Sequence, residues 1–315
     1  MAAAPLIDNS SGAEFLRDVL TGLSATPRAL PGKYLWDAKG SDLFDRICQT
    51  ADYYPTRREM ALLPQVAAEV ASQVGPGATV VEFGSGASRK IRTLLDVLEA
   101  PAAYIAVDIS GEYLADAIRR LAPDYPQVAM RAVCADYAKP FTLPIPASGG
   151  PVLAFFPGTS IGNFAPVEAG AFLARAREAL GSCFFLVGAD PTVEAEILHS
   201  AYGGADGLMS AFHRNILARM NRELGTDFDL DAFRHGVRIC DEPFRVEAHL
   251  VARKATKVRL GGTVIAFGAG DSIRTDTSHK YTPEAFAALA VANGWEPVQH
   301  WFGEAGGFSL HLLRS

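Results

Sequence analysis

Between Ala78 and Asp190 short apolar runs alternate with amphipathic stretches. Thr79 to Phe83, Ala103 to Asp108, Val128 to Cys134, Val152 to Phe156 and Cys183 to Val187 are short and nearly all apolar, which predicts buried strands. Ser88 to Glu99, Gly111 to Leu121 and Pro166 to Leu180 space their apolar residues as helices do. Strand and helix in alternation, with short links, call for a parallel sheet covered by helices on both faces. The expected fold class is therefore α/β and doubly wound.

The flanking segments have a different texture. The first 60 residues show helical patterns near Gly12 to Leu23 and Ser41 to Thr50 and no strand alternation. A further helix, about Arg58 to Gln73, is stopped by Gly75-Pro76-Gly77. After Asp190, Val193 to Leu224 reads as largely helical with a break at Gly203-Gly204, followed by alternating stretches at Phe244 to Val251 and Ala255 to Phe267. This is the signature of an inserted α+β lobe. The first texture returns with a helix from Pro283 to Asn293, a Gly294 cap, and strands at Glu296 to Phe302 and Gly307 to Leu313 joined by a Gly-rich turn from Gly303. The division expected from these changes is residues 60–195 and 283–315 for the sheet domain, with 1–59 and 196–282 forming a smaller substrate lobe.

Composition narrows the partners. Of 315 residues 49% are apolar and 20% charged, which suits a folded globular chain. The formal charge of -6 repels polyphosphates, so nucleic acid is not expected as a partner. No apolar run reaches the roughly 18 to 20 residues needed to cross a bilayer, and the first residues lack a basic segment before an apolar one. Cytoplasmic location, no membrane contact and a monomeric state are the expectations. Cys48, Cys134, Cys183 and Cys240 form no Cys-x-x-Cys pair and read as buried thiols, and the seven histidines lack metal-ligand spacing, so no metal is expected.

The candidate chemistry lies at the strand ends. The first strand runs into Glu82-Phe83-Gly84-Ser85-Gly86, where glycines let a ligand approach the backbone. A dinucleotide fingerprint requires a third glycine where Arg89 stands. Glu82 before the turn suits S-adenosylmethionine (SAM) better, because its sulfonium and amino group are positive and it carries no phosphate. Asp108 ends the second strand, where a carboxylate can accept from ribose hydroxyls, and Asp136-Tyr137 ends the third, offering an acceptor and an aromatic wall for adenine. Acids at three successive strand ends therefore predict a SAM site on a Rossmann-like class I methyltransferase sheet.

Four further segments carry a resemblance: Trp36-Asp37-Ala38-Lys39-Gly40-Ser41-Asp42-Leu43-Phe44, Tyr53-Tyr54-Pro55-Thr56-Arg57, Phe156-Pro157-Gly158-Thr159-Ser160-Ile161-Gly162-Asn163 and Thr275-Asp276-Thr277-Ser278-His279-Lys280-Tyr281. Together they resemble the signature segments of the L-histidine Nα-methyltransferases of ergothioneine biosynthesis, and the similarity spans nearly the whole chain. The resemblance implies a two-domain enzyme that moves three methyl groups from SAM to the α-amino group of histidine, a small amino-acid substrate, giving hercynine. It implies Tyr53, Asn163 and Tyr202 as catalytic residues, Asn163 and Tyr202 holding the α-amino and carboxylate groups. It places Asp276 and Ser278 toward the imidazole, with Trp36, Phe44 and Gly158 also lining the substrate. Gly84, Lys90, Asp108, Asp136 and Tyr137 fall on the cofactor side, beside Glu82 and Gly86.

Two positions depart from the family's pattern. Trp36 stands where tyrosine is common, and Asp276 where many members have glutamate, which draws the carboxylate back by about 1.5 Å. Both lie where the substrate side chain is read, so another aromatic or imidazole amino acid is the alternative substrate. A catalytically retired protein that binds SAM or an amino acid is the alternative of another class. A nicotinamide oxidoreductase has only the glycine turn and Asp108 in its favour.

Overall fold

Thr79-Val-Val-Glu-Phe83 has no exposed position, so it can only be the middle of a sheet covered on both sides. The structure, a computed structural model, describes residues 12–86, 88–146, 150–204, 206–303 and 307–315. In chain order its elements begin with α1 (Gly12–Ser24), β1 (Arg28–Ala29), α2 (Ala38–Ile47), α3 (Tyr54–Val74), β2 (Thr79–Phe83), α4 (Lys90–Leu95), β3 (Ala103–Asp108) and α5 (Gly111–Leu121). Then come β4 (Ala129–Cys134), β5 (Val152–Phe156), α6 (Pro166–Leu180), β6 (Phe184–Ala189), α7 (Ala195–Gly203) and α8 (Leu208–Leu224). The last are β7 (Phe233–Asp241), β8 (Phe244–Ala252), β9 (Thr256–Leu260), β10 (Thr263–Phe267), β11 (Ser272–His279), α9 (Pro283–Ala292), β12 (Glu296–Phe302) and β13 (Ser309–Arg314).

The chain folds as two compact units. Among the described residues the first holds Tyr54–Thr192 and His279–Ser315, and the second holds residues 12–53 and Val193–Ser278. The first unit is built on a seven-stranded sheet of order β12-β13-β6-β5-β2-β3-β4. From β6 to β4 neighbouring strands are parallel, while β13 is antiparallel to β6 and to β12. Successive residues of a strand face opposite sides. Accordingly Val80, Tyr104, Leu153 and Phe155 pack with Leu63 and Val70 of α3, whereas Val81, Ile105, Ala154 and Phe156 pack with Phe172, Phe286 and Trp295. Burial of these two apolar layers is the dominant force holding the unit.

The second unit has a four-stranded sheet, β1-β11-β8-β7, and a hairpin of β9 and β10. Here the expected pattern needs correction. Phe233–Asp241 is a strand that the pattern did not predict, because exposed Arg234 and Arg238 and half-buried His235 and Cys240 blur the alternation; pairing with β8 makes it one. The polar run Ser272–His279 is likewise a strand, and Arg28–Ala29 is extended by pairing with Ile273 and Arg274. The helix expected from Ser88 to Glu99 is confined to Lys90–Leu95. Of the four thiols only Cys183 is buried; Cys48, Cys134 and Cys240 are half-buried, since they lie at the ends of elements or on a two-faced strand. Part of the turn expected from Gly303, residues 304–306, lies outside the described residues.

Candidate functional site

The order of the large sheet reverses at β2. From it the chain first builds β3 and β4 on one side, then β5 and β6 on the other. A crevice opens beyond the carboxyl ends of strands at such a switch point, and ligands of α/β folds bind there. The segments leaving β2 and β5 therefore frame the candidate site.

After β2, Gly84 and Gly86 take left-handed conformations, with φ of 67° and 48°. A Cβ on Gly86 would meet nothing within 4 Å, so the turn faces open space, whereas one on Gly84 would come 3.4 Å from the Tyr137 hydroxyl. Asp108, at the end of β3, accepts from the backbone N–H of Gly86 at 3.2 Å and of Ser110 at 2.9 Å. Its carboxyl is aimed by the loop, and burial pushes its pKa up. Past β4, Asp136 accepts from the N–H of Ala138 at 3.0 Å, and Tyr137 lays its ring against Phe83, Phe156, Phe164 and Phe172. Burial likewise raises the Tyr137 hydroxyl, so it stays protonated. A hydrogen bond thus joins Gly86 to Asp108, and the Tyr137 hydroxyl lies beside the turn at Gly84.

Glu82 is different, because only 1% of its surface is exposed. It takes a short hydrogen bond from the Tyr104 hydroxyl, and burial lifts its pKa to about 8. Lys90 opens α4 and pairs with Glu59 at 2.5 Å, close to the left-handed Gly158 beyond β5. Asn163 ends the short 3-10 turn Ser160–Asn163 and is exposed. It does not cap the next helix, whose N-cap is Ala165.

The second unit holds an aromatic row. Trp36 lies edge-on to Phe44 at 4.9 Å and to Phe212 at 5.3 Å, Phe44 meets Tyr53 at 5.6 Å, and Tyr53 meets Tyr202 at 6.2 Å between ring centroids. The row ends in a hydroxyl pair, Tyr202 and Ser278, 2.9 Å apart. Asp276 shares a face of β11 with Ser278 two residues on. Its carboxylate accepts from the N–H of Thr277 at 2.9 Å, and burial lifts its pKa to about 7. Asp37 of the Trp36 segment caps α2 by accepting from Gly40 at 2.7 Å, so its work is structural. Behind the row, His235 Nε2 lies 2.8 Å from the Tyr202 carbonyl and its ring stacks on His213, which burial keeps neutral.

Sequence reasoning missed Glu59, Asp190, Phe212 and His213. Glu59 and Asp190 each interrupt an apolar pattern: Glu59 on the stripe with Leu62, Leu63 and Val66, and Asp190 directly after buried β6. A charge on a buried face was the available signal. Phe212 and His213 gave none, because their role depends on which helix face meets Trp36 and Thr275.

The groups gathered at the sheet suit a nucleoside rather than a pyrophosphate, because they offer the carboxylates of Asp108 and Asp136 and a lysine already paired with Glu59. The pattern described as histidine-specific methyltransferase, SAM-dependent, matches residues 15–315. The chain belongs to this family. It is 37% identical to a histidine N-alpha-methyltransferase of Mycolicibacterium smegmatis, over 99% of this chain and 98% of that protein. The protein of the same name from Mycobacterium tuberculosis is 38% identical over 94% of this chain and 93% of its own length. Ergothioneine biosynthesis protein 1 of Neurospora crassa is 31% identical over 91% of this chain, which corresponds to 33% of that longer protein. As a member of the histidine-specific methyltransferases the chain is a SAM-dependent amino-acid N-methyltransferase acting on a small molecule. Among its described residues no helix is long and apolar enough to cross a membrane.

Proposed function

We propose that this methyltransferase carries L-histidine through three successive Nα-methylations to hercynine, the first unit binding SAM and the second reading the amino acid. The observation that carries this reading is the continuous row from Trp36 through Phe44, Tyr53 and Tyr202 to Ser278, with Asp276 on the same strand face, in a chain of the histidine-specific family. An aromatic wall ending in hydroxyls and one acid is what a flat ring with polar nitrogens requires.

On the cofactor side Asp108 accepts from the ribose hydroxyls, Asp136 and Tyr137 hold the adenine, and Gly84 and Gly86 let the ligand lie against the backbone. Lys90 stands at the amino-acid end, and Glu82 supports the turn from beneath. SAM supplies a methyl group on a positively charged sulfonium, and the displacement needs alignment more than a strong acid or base. The chain's own residues therefore work by positioning.

Asn163 and Tyr202 hold the α-amino and carboxylate groups of the substrate, with Tyr53 beside Tyr202 and Gly158 at the head of the Asn163 segment. The attacking amine must be neutral, and an α-amino group with a pKa near 8 sheds its proton on entering a desolvated pocket. Each transfer removes one N–H. A site that completes three transfers must hold the nitrogen without a fixed set of donors, and amide and phenol oxygens suit that need. Asp276, held near pH 7 by burial, can accept from an imidazole N–H when ionised or donate to the ring when protonated.

Mass spectrometry of histidine incubated with the protein and SAM tests the reading. Mass gains of one, two and three methyl groups are expected. A screen of the proteinogenic amino acids in which histidine stays unmodified while another gains mass would replace histidine as substrate. The short side chain of Asp276, already engaged with Thr277, favours such a second reading, with a different aromatic or imidazole amino acid.

A further inference from the structure

Glu59 sits where a carboxylate is out of place. It lies on the apolar stripe of α3 and is completely buried. Charged groups in a core persist only when paired and hydrogen-bonded. Glu59 is both. Oε1 accepts from the N–H of Gly158 at 2.8 Å, and Oε2 lies 2.5 Å from Lys90 Nζ, whose side chain is 20% exposed.

The two partners come from the segments that leave β2 and β5, the strands between which the sheet order reverses. Gly158 makes this possible. Its φ of 70° turns the chain, and a Cβ there would approach Lys90 Nζ to 3.3 Å. The carbonyl of Gly158 lies so close to β6 that a Cβ on Gly188 would meet it at 2.4 Å, so the loop has little freedom to retreat. One buried carboxylate thus fixes the lysine on the cofactor side and the loop leading to Asn163.

We infer that Glu59 is a positioning residue for the cofactor: it neutralises and aims Lys90 at the switch point, so that the lysine orients the amino-acid end of SAM without repelling its sulfonium. The inference rests on the reading of Lys90 as a cofactor-side residue. An ammonium without its carboxylate adds a positive charge beside a ligand that is itself a net cation, and in a partly buried site that repulsion is poorly screened. S-adenosylhomocysteine lacks the sulfonium charge. The two ligands therefore separate an electrostatic role from a packing role.

Calorimetric dissociation constants for SAM and S-adenosylhomocysteine, measured on wild type, Glu59→Gln, Lys90→Met and the double variant, provide the test. Glutamine keeps an acceptor for the Gly158 N–H and removes the charge. Glu59→Gln is expected to weaken SAM about tenfold and S-adenosylhomocysteine about threefold or less, since only the former suffers the repulsion. In the Lys90→Met background the same substitution is expected to change neither. Equal weakening of both ligands, no weakening of either, or a full effect in the Lys90→Met background would overturn the role of Glu59. Lys90→Met binding both ligands as wild type does would instead remove Lys90 from the cofactor side, and the inference with it. Should Glu59→Gln fail to fold, Glu59→Asp keeps the charge but withdraws it by about 1.5 Å, and wild-type affinity for both ligands in that variant would overturn the inference.

Discussion

The two units hold their candidate groups by different means. In the seven-stranded unit Gly84, Gly86, Asp108, Asp136 and Gly158 stand at strand ends or on the loops beyond them, and backbone N–H groups or one buried carboxylate fix them. In the other unit Trp36, Phe44, Tyr53, Tyr202 and Ser278 are held through side-chain packing, ring on ring, and end in a hydroxyl pair. Backbone-held positions depend on conformation, which a side-chain change disturbs only by removing an anchor. A packed row can change its chemistry one residue at a time, as Trp36 and Asp276 suggest. The proposed cofactor floor should therefore resist variation, and the row should tune substrate choice.

The most severe way to break this contrast is Asp190→Ala. The Asp190 carboxylate takes the Tyr54 hydroxyl at 2.6 Å and the Thr192 N–H at 3.0 Å, and it pairs with Lys280 at 2.6 Å; both charged side chains are buried. Tyr54, Thr192 and Lys280 lie within two residues of the three points where, among the described residues, the chain passes between units. Removing the carboxylate takes the opposite charge from a buried ammonium and an acceptor from Tyr54 and Thr192, and urea unfolding should show a loss of about 3 to 5 kcal/mol. A loss below about 1 kcal/mol would show that the seven-stranded unit is held without this anchor.

A smaller effect is expected from Asp108→Ala. It deletes the acceptor proposed for the ribose and frees the Gly86 and Ser110 N–H groups, so SAM affinity measured by calorimetry should fall by about 1 to 3 kcal/mol. The relative rates on different amino acids should stay the same. A changed substrate profile would erase the division of labour between floor and row.

The smallest effect, and the sharpest on the row, is that of Asp276→Asn on pH dependence. Burial raises the folded pKa to about 7 from a carboxylate's usual 4, so the folded chain retains a proton that the unfolded chain releases. The contribution to stability is complete below pH 4 and is lost as pH rises through 7. Asp276→Asn should flatten stability between pH 4 and 8, as thermal melts across that range would reveal. The amino-acid preference should shift in the same variant. An unaltered profile would place the side-chain pocket elsewhere.

Much of the large sheet was readable along the chain. β2, β3 and β5 coincide with apolar runs bounded by turn residues, because a strand buried on both faces has no polar position to confuse it. The strand-end acids were readable for the same reason, as charges that break such runs. β7 and β11 were not, since their half-exposed or polar residues become strands only through their neighbours. Glu59 stood out in the sequence only as a charge on the apolar stripe of α3; its partners Lys90 and Gly158 are not readable from that stripe.

The order of apolar runs, the glycines that follow them and the four signature segments were enough to determine the fold class and the methyltransferase family. Only the tertiary structure decided that Asp108 is aimed by Gly86 and Ser110, that Glu59 joins Lys90 to Gly158, and that Asp190 gathers Tyr54, Thr192 and Lys280. The reason is distance along the chain. Periodicity and turn chemistry are local, so neighbours reveal them. A buried charge is defined by partners about thirty to more than a hundred residues away, and its pairing exists only once the sheet has brought them within hydrogen-bonding reach.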